Sequence, residues 1–451
     1  MDLSISEITS TRKSASVFLP AEELQTLESG VLRDFGREAR IPGFRPGKAP
    51  LPMVQKRYSK EIQDELQKRT VSKAYEKVQK DSGLDILEVV ELENQDSPVD
   101  PKVDLHLNFI VDLKPQFEIP HYQGLTLKKG PTTATDDELD AEIQNLLSQH
   151  ADFVPIDGPG KKGDYAKCSY HGSLDGTPVS ELLPDHPIYG TQNNTWEEVG
   201  AEASPGISSL IEALVGMSAG SSTTLEHHFP DDFPHPELQG KTVAYTLEVH
   251  EVRERQFPEF NEEFAKLLEY ESTDDLKAAT REKLENQKRN LNSSLMRKQV
   301  MERLDANSSF DLPESLVETR TQQVLVEFIS DRIRQGAEQK DFEAHKDQLF
   351  ESAEQAARKR IKLDFIFAKI AEKENVTVTE EDFSRYIYSR ALQTRKKPQD
   401  IVKELQEDRR SIEEIRRNIL AEKTIVKIVE QADQQELSAE EFEQFTRSPG
   451  A

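Results

Sequence analysis

The hydrophobic pattern of this chain changes character twice along the sequence, so three differently built regions follow one another. Residues 1–118 mix strand and helix patterns, and residues 151–255 are dominated by short strands. From about residue 257 onward the chain is helical, rich in charge and poor in glycine. This succession predicts an α+β multidomain protein with an all-α C-terminal region.

Composition narrows the class of protein further. The 451 residues suggest about three domains, but only 35% are hydrophobic and 31% are charged, which predicts an elongated molecule with several modest cores. A net charge of −26 argues against a general nucleic-acid coat and against anionic membranes as partners. The single cysteine excludes an internal disulfide framework. No signal-peptide pattern and no run of 18 apolar residues occurs, so we expect a cytoplasmic protein.

Periodicity and turn residues set the expected boundaries. Residues 102–113 alternate strictly and predict a half-buried strand, whereas 21–38 and 51–80 carry apolar side chains at helical spacing. We therefore predict five segments. They are an N-terminal α+β domain (1–118), an extended linker (119–150), a β-rich domain (151–253), a helical domain (254–437) and a disordered tail (438–451).

A loop rich in proline and glycine separates the first two predicted helices. Its sequence, ARIPGFRPGKAP over 39–50, forbids helix and favours an exposed turn. Residues 33–80 contain 13 Lys and Arg against 6 Asp and Glu, which makes a basic patch on an acidic chain. The residues alone leave two interpretations open. Phe44 and Arg45 are an interface hot spot, or Phe44 folds back onto its own domain beside a solvated basic helix pair.

The motif Gly43-Phe44-Arg45-Pro46-Gly47-Lys48-Ala49-Pro50 resembles the ribosome-docking loop of bacterial trigger factors, Gly-Phe-Arg-x-Gly-x-x-Pro. The resemblance extends over nearly the whole chain. It implies a docking domain, a linker, an FKBP-like module and a helical C-terminal domain, with Phe44 and Arg45 contacting protein and RNA at the ribosomal exit tunnel. We assign ribosome binding to Gly43, Phe44, Arg45, Gly47 and Lys48. Many members carry lysine where this chain has Pro46, so affinity or salt dependence is expected to differ.

The same loop is not a nucleotide site. Only three residues separate Gly43 from Gly47, and alanine follows Lys48 where a phosphate loop needs Ser or Thr. Since no ATP site is visible, we predict no cofactor and a chaperone that works by binding equilibria alone.

Residues 163–252 resemble the FKBP fold of prolyl isomerases, and the resemblance implies an aromatic cup that binds the twisted X-Pro amide. Matched residue by residue, the cup comprises Tyr170, Val179, Leu210, Phe233 and Tyr245. Val179 and Leu210 stand where the family usually has aromatic side chains. We therefore predict weak isomerase activity, with Trp196 as a candidate to restore part of the wall.

Two other groups of residues in this module are candidates for a nucleophilic site and for a metal site. Cys168 and His171 could form a nucleophilic pair, but three residues apart in a strand they point to opposite faces, which favours a buried, inert cysteine. A cluster of histidines and aspartates lies in a proline-rich turn without a helix to orient ligands. We therefore predict no metal site. The cluster comprises His227, His228, Asp231, Asp232 and His235.

The helical region carries apolar side chains at helical spacing among many charges. Most of these side chains must form the core between helices. The remainder can bind unfolded polypeptide weakly and release it without ATP hydrolysis. The residues in question are Val324, Leu325, Phe328, Ile329, Tyr386, Ile387, Tyr388 and Leu392.

The function that the resemblance implies is an ATP-independent, ribosome-associated chaperone for nascent polypeptides, with prolyl isomerase activity. Three alternatives stay open: a dedicated prolyl isomerase, a periplasmic holdase that does not bind ribosomes, and an RNA binder without chaperone activity. The sequence also leaves open whether the free protein forms a homodimer.

Overall fold

The computed structural model describes residues 1–42, 44–45, 47–93, 98–201, 207–335, 342, 345–407 and 409–448. The chain forms two compact units. The first unit joins Met1–Gly130 to Asn292–Ala451, and the second is Pro131–Leu291. No helix in the described ranges is long and apolar enough to cross a lipid bilayer.

The secondary structure follows the predicted order of regions. The strands are β1 (Asp2–Thr9), β2 (Arg12–Leu19), β3 (Ile86–Glu93), β4 (Leu105–Leu113), β5 (Thr126–Lys129), β6 (Asp152–Ile156), β7 (Tyr165–Leu174), β8 (Thr177–Pro178), β9 (Thr191–Glu198), β10 (Ser222–His228), β11 (Thr242–Gln256) and β12 (Asp433–Glu436). The helices are α1 (Ala21–Glu38), α2 (Leu51–Arg57), α3 (Ser59–Asp81), α4 (Asp136–Gln149), α5 (Val179–Leu182), α6 (Ser208–Ala213), α7 (Glu262–Leu267), α8 (Thr273–Ala306), α9 (Glu314–Arg334), α10 (Lys346–Glu374), α11 (Glu380–Thr394), α12 (Pro398–Glu407), α13 (Arg409–Glu430) and α14 (Ala439–Arg447).

An antiparallel sheet in the order β1-β2-β4-β3 packs against α1, α2 and α3 around one apolar core. The strand predicted over 102–113 is confirmed from Leu105 onward, with Leu107, Phe109 and Val111 buried. Val103 is exposed, because a turn in which its amide bonds the carbonyl of Asp100 holds it outside the strand. The helical pattern over 51–80 is divided at Tyr58 into α2 and α3.

Asp112 joins this sheet to the helical part of the same unit. Its side chain is fully buried and accepts hydrogen bonds from Arg12, through Nε at 2.6 Å and Nη2 at 2.9 Å. It also accepts from the hydroxyl and the backbone N–H of Ser315, at the start of α9. Burial alone would raise the pKa of Asp112, but these donors outweigh it and hold the pKa below its ordinary value.

Helices α9 and α10 pack against each other, and both meet α13 through a buried arginine. Arg320 on α9 pairs with Glu414 on α13 at 2.9 Å and approaches Asp364 on α10 at 3.9 Å. Burial raises the pKa of Asp364, and the nearby charge of Arg320 lowers it by less. The segment 361–370 is apolar on most sides and forms the buried part of α10, because neighbouring helices cover it from several directions.

The segments predicted as linker and tail both carry structure. In the linker predicted over 119–150, Tyr122, Leu125 and Leu127 are buried in the first unit, and the end of the segment forms α4 of the second unit. The disordered tail predicted over 438–451 is wrong for its described part. There α14 follows β12, which pairs in parallel with β5. Phe442 lies so close to Gly130 that a methyl group there would sit 2.5 Å from the ring.

The second unit is built on a sheet in the order β10-β11-β7-β8, with β6 beside β11 and β9 beside β7. The alternation predicted for β11 is confirmed, since Val243, Tyr245, Leu247 and Val249 are all buried. Asp175 and Gly176, with φ of +51° and +87°, make the predicted two-residue hairpin between β7 and β8. Helix α6 and the buried face of the sheet enclose one core.

Candidate functional site

The loop between α1 and α2 is a sequence of turns. The N–H of Phe44 bonds the carbonyl of Ile41, and the N–H of Lys48 bonds the carbonyl of Arg45. Gly47 has φ of +78°, and a Cβ at this position would lie 3.3 Å from the carbonyl oxygen of Arg37. Glycine is therefore needed where the loop returns to the end of α1. Gly43 and Pro46, which belong to the predicted motif, lie outside the described residues.

The loop exposes the side chains that the sequence predicts to bind. Phe44 is 40% exposed, and Arg45 and Lys48 are exposed as well. The alternative in which Phe44 folds back into its own domain does not fit this exposure. Leu51 and Met53, just after the loop, are 48% and 45% exposed. An exposed aromatic side chain beside exposed cations and two apolar neighbours has the composition of a protein interface.

The predicted isomerase cup is largely filled by its own side chains. Tyr170, Val179, Leu210 and Tyr245 are buried in the core of the second unit. The hydroxyl of Tyr170 donates to the carbonyl of Ile188 at 2.8 Å, and that of Tyr245 donates to the carbonyl of Tyr189 at 2.6 Å. Burial raises the pKa of both phenols. These four residues therefore pack beneath the surface of the predicted cup. A proline substrate would have to contact other side chains, which are accessible to solvent.

The accessible part of the cup is a small aromatic cluster around Phe233. Its ring, only partly buried, lies 4.7 Å from Phe229, 5.2 Å from Tyr189 and 5.6 Å from His235, measured between ring centroids. The ring of His186 lies 4.1 Å from that of His235 and is tilted by 43° relative to it. The sequence predicts a role for Phe233 but none for Phe229. The loops that bring these rings together have no hydrophobic periodicity from which the contact could be predicted.

Trp196 cannot complete this cup. It pairs with Lys167 across β9 and β7, and the guanidinium of Arg253 stacks on its ring at 4.6 Å. Lys167 alternates with the buried Cys168 along β7, so Trp196 lies on the opposite face of the sheet from Tyr170.

The remaining candidates for chemistry in this unit have ordinary structural roles. Cys168 is buried and His171 is exposed on the other face of β7, as predicted. Burial raises the pKa of the Cys168 thiol to about 12, so the reactive thiolate is suppressed. His227 bonds Ser209 and His228 bonds Thr242. Within the described ranges, no three His, Cys, Asp or Glu side chains come together as metal ligands.

The apolar residues of the helical region divide between core and surface. Val324 is buried, and Leu325, Phe328, Ile329, Tyr386 and Ile387 are half-buried. Tyr388 and Leu392 on α11 are 63% and 81% exposed. A separate apolar cavity of about 720 Å³ opens where α9 ends and α10 begins. Its apolar lining comprises Leu325, Ile329, Ile333, Phe342, Leu349 and Phe350, and Lys346 and Asp347 also line it.

Comparison with known proteins gives a consistent result. The family model described as "Bacterial trigger factor protein (TF)" matches residues 1–146, and its C-terminal counterpart matches residues 272–430. The chain is 40% identical to the trigger factor of Opitutus terrae over 433 residues, which cover 96% of this chain and 98% of that protein. The trigger factor of Desulforudis audaxviator is 29% identical over 446 residues, with 96% and 98% covered.

A solved structure supports the architecture. It belongs to work on promiscuous substrate recognition by the trigger factor chaperone, and it matches with a TM-score of 0.50 and 19% identity over 95% of this chain and 99% of that one. At this identity the match speaks for the fold alone. The two family models and the 40% identity over almost the full length show that this chain belongs to the bacterial trigger factor family.

Proposed function

We propose that the chain is an ATP-independent chaperone that docks on the ribosome through the loop 39–50 and holds unfolded polypeptide as it leaves the exit tunnel. The observation that carries this proposal is the exposure of Phe44 and Arg45 at the tip of a loop set by turns. Membership of the trigger factor family supports it. This function places the protein in the cytoplasm, where ribosomes translate.

Binding of clients fits the surface of the helical region. Tyr388 and Leu392 are single apolar side chains surrounded by charge on α11, and the cavity between α9 and α10 is a second, separate apolar site. Several small sites bind one flexible chain weakly at each point, and their combined affinity holds it while each contact stays reversible. Release therefore needs no nucleotide hydrolysis.

Replacing Tyr388 and Leu392 by serine should weaken this holding action. The two lost side chains together remove about 2–4 kcal/mol of apolar contact, so we expect client affinity to fall by roughly 30-fold or more. A correspondingly higher concentration of the variant should be needed to suppress aggregation of a chemically unfolded client, followed by light scattering. The matched control is Leu267→Ser, which removes a leucine of similar exposure in the second unit. Equal loss with the control, or suppression that requires ATP, would contradict the proposal.

The second unit is proposed to be a weak prolyl isomerase. The twisted amide needs a dry aromatic contact, and the accessible contact is limited to Phe233 and its neighbours because Tyr170 and Tyr245 are buried. We expect the rate of a proline-limited refolding reaction to rise far less than with a dedicated FKBP.

Two variants test this assignment. Phe233→Ala should abolish the residual acceleration, and Trp196→Ala, on the opposite face of the sheet, should leave it unchanged. A rate equal to that of a dedicated FKBP, or equal losses in both variants, would show that the active cup lies elsewhere.

A further inference from the structure

Three tyrosines belong to or border the predicted isomerase cup, and their hydroxyl groups differ in their partners. Those of Tyr170 and Tyr245 donate to the carbonyls of Ile188 and Tyr189, at 2.8 and 2.6 Å. The side chain of Tyr189 is only partly buried, and its hydroxyl makes no hydrogen bond with any residue that the structure describes. A tyrosine packed among aromatic rings usually has a partner for its O–H. The hydroxyl of Tyr189 is therefore a donor that a ligand can use.

The backbone of Tyr189 is fixed from beneath the cup. Residues Pro187–Tyr189 form one 3₁₀ turn, and the two buried phenols bond consecutive carbonyls of this turn. The carbonyl of Gly190, the next residue, accepts from the N–H of Gly172 on β7 at 2.9 Å. A Cβ at Gly190 would lie 2.9 Å from the backbone nitrogen of Ser180, so the turn also packs closely against α5. This support gives the side chain of Tyr189 the fixed position that a catalytic donor needs.

The ring of Tyr189 stands nearly at right angles to the accessible aromatic cluster. It is inclined by 84° to the ring of Phe233 and by 85° to that of Phe229, with centroids 5.2 and 6.1 Å apart. Phe233 is the proposed contact for the proline ring. A proline packed on Phe233 would therefore bring its amide close to the side chain of Tyr189.

The chemistry of the prolyl amide decides what such a donor can do. In the planar amide the nitrogen lone pair is delocalised into the carbonyl, and this resonance is the barrier to rotation. Rotation localises the lone pair on nitrogen, which then becomes a hydrogen-bond acceptor. A donor to the nitrogen therefore stabilises the transition state without stabilising the ground state, which raises kcat. A donor to the carbonyl oxygen would strengthen the resonance and slow the rotation.

We infer that Tyr189 is a catalytic residue whose hydroxyl donates a hydrogen bond to the nitrogen of the twisted prolyl amide. This inference rests on the proposed function, because it takes the second unit to be a prolyl isomerase. The phenol keeps its proton throughout, and no covalent bond forms or breaks. The roles in the cup then differ. Phe233 contacts the proline ring, Tyr189 stabilises the twisted amide, and Tyr170 and Tyr245 position Tyr189.

The test is Tyr189→Phe in the full-length protein, which removes the hydroxyl and keeps the ring. For cis–trans isomerisation of a proline-containing tetrapeptide, we expect kcat to fall roughly 10-fold, the rate equivalent of one net hydrogen bond, and KM to stay unchanged. The matched control is Tyr165→Phe. It removes a phenol hydroxyl that bonds Glu198 on the opposite face of the sheet, and it should change neither constant.

Other results overturn the inference. An unchanged kcat in Tyr189→Phe means that the hydroxyl has no role, and a higher KM alone means that it binds the planar substrate. The imidazole of His235, 5.6 Å from the ring of Tyr189, is a rival donor. A loss in His235→Gln that Tyr189→Phe does not show would assign the hydrogen bond to this histidine.

The failure of this inference differs from the failure of the proposed function. If Tyr189→Phe is fully active and Phe233→Ala is not, the isomerase cup is where we propose it and only the role of Tyr189 is wrong. If neither change affects the rate, or if the wild type does not accelerate isomerisation at all, both proposals fail.

Discussion

Asp112→Ala should lower the free energy of unfolding by roughly 2–3 kcal/mol, because it removes the buried acceptor of a partly buried ion pair and leaves Arg12 without its partner. The same change removes the acceptor for the N–H and hydroxyl of Ser315, so the sheet and α9 lose their shared polar contact. Urea unfolding followed by circular dichroism measures the difference. The control is Asp85→Ala, which breaks an exposed pair with Lys114 and should cost less than about 1 kcal/mol.

The pH dependence of this difference follows from the sign of the shift. The folded-state pKa of Asp112 lies below its ordinary value of 3.8, so the carboxylate stabilises the fold at pH values above 3.8. That contribution is lost as the pH falls through the lower, folded-state pKa. The gap between wild type and Asp112→Ala should therefore be constant near neutral pH and shrink in strong acid. A gap that widens on acidification would show that Asp112 is protonated in the native protein.

Phe44→Ala/Arg45→Ala should reduce ribosome affinity on the order of 100-fold or more. Truncating an interface hot spot costs about 2 kcal/mol or more, and two such changes on one loop compound. Both side chains are exposed in the free protein, so the loss cannot come from a damaged core. Titration of ribosomes with labelled protein gives the affinity, and circular dichroism confirms the fold. Leu267→Ala, an exposed apolar change in the second unit, should bind as the wild type does.

The exposed loop 39–50 and the strands β4 and β11 could be predicted from the sequence, because each depends on local rules. Pro42, Gly47 and Pro50 exclude helix from 39–50, and the remaining side chains are then left exposed. Tyr245 was placed on the buried face of its strand by the alternation of β11. Whether that face is reachable by a substrate could not be predicted, because Ile188 and Tyr189 close over it from a loop distant in sequence.

The C-terminal segment shows a second reason why part of the fold could not be predicted from the sequence. β12 has the sequence DQQE, with every side chain exposed, so it carries no alternation that could predict a strand. It is ordered by backbone pairing with β5, about 300 residues earlier, and by the contact of Phe442 with Gly130. Backbone pairing between distant segments leaves no trace in side-chain periodicity. For the same reason the segment 119–130 resembled a linker, although its apolar side chains are buried.

The claim that the exposed tip of loop 39–50 contacts the ribosome is tested most directly by a photo-reactive phenylalanine analogue in place of Phe44. Irradiated with translating ribosomes, the protein should form crosslinks to a large-subunit protein at the exit tunnel, and addition of excess unlabelled wild type should remove them. Crosslinks confined to the chain itself, or an unchanged pattern without ribosomes, would contradict the account.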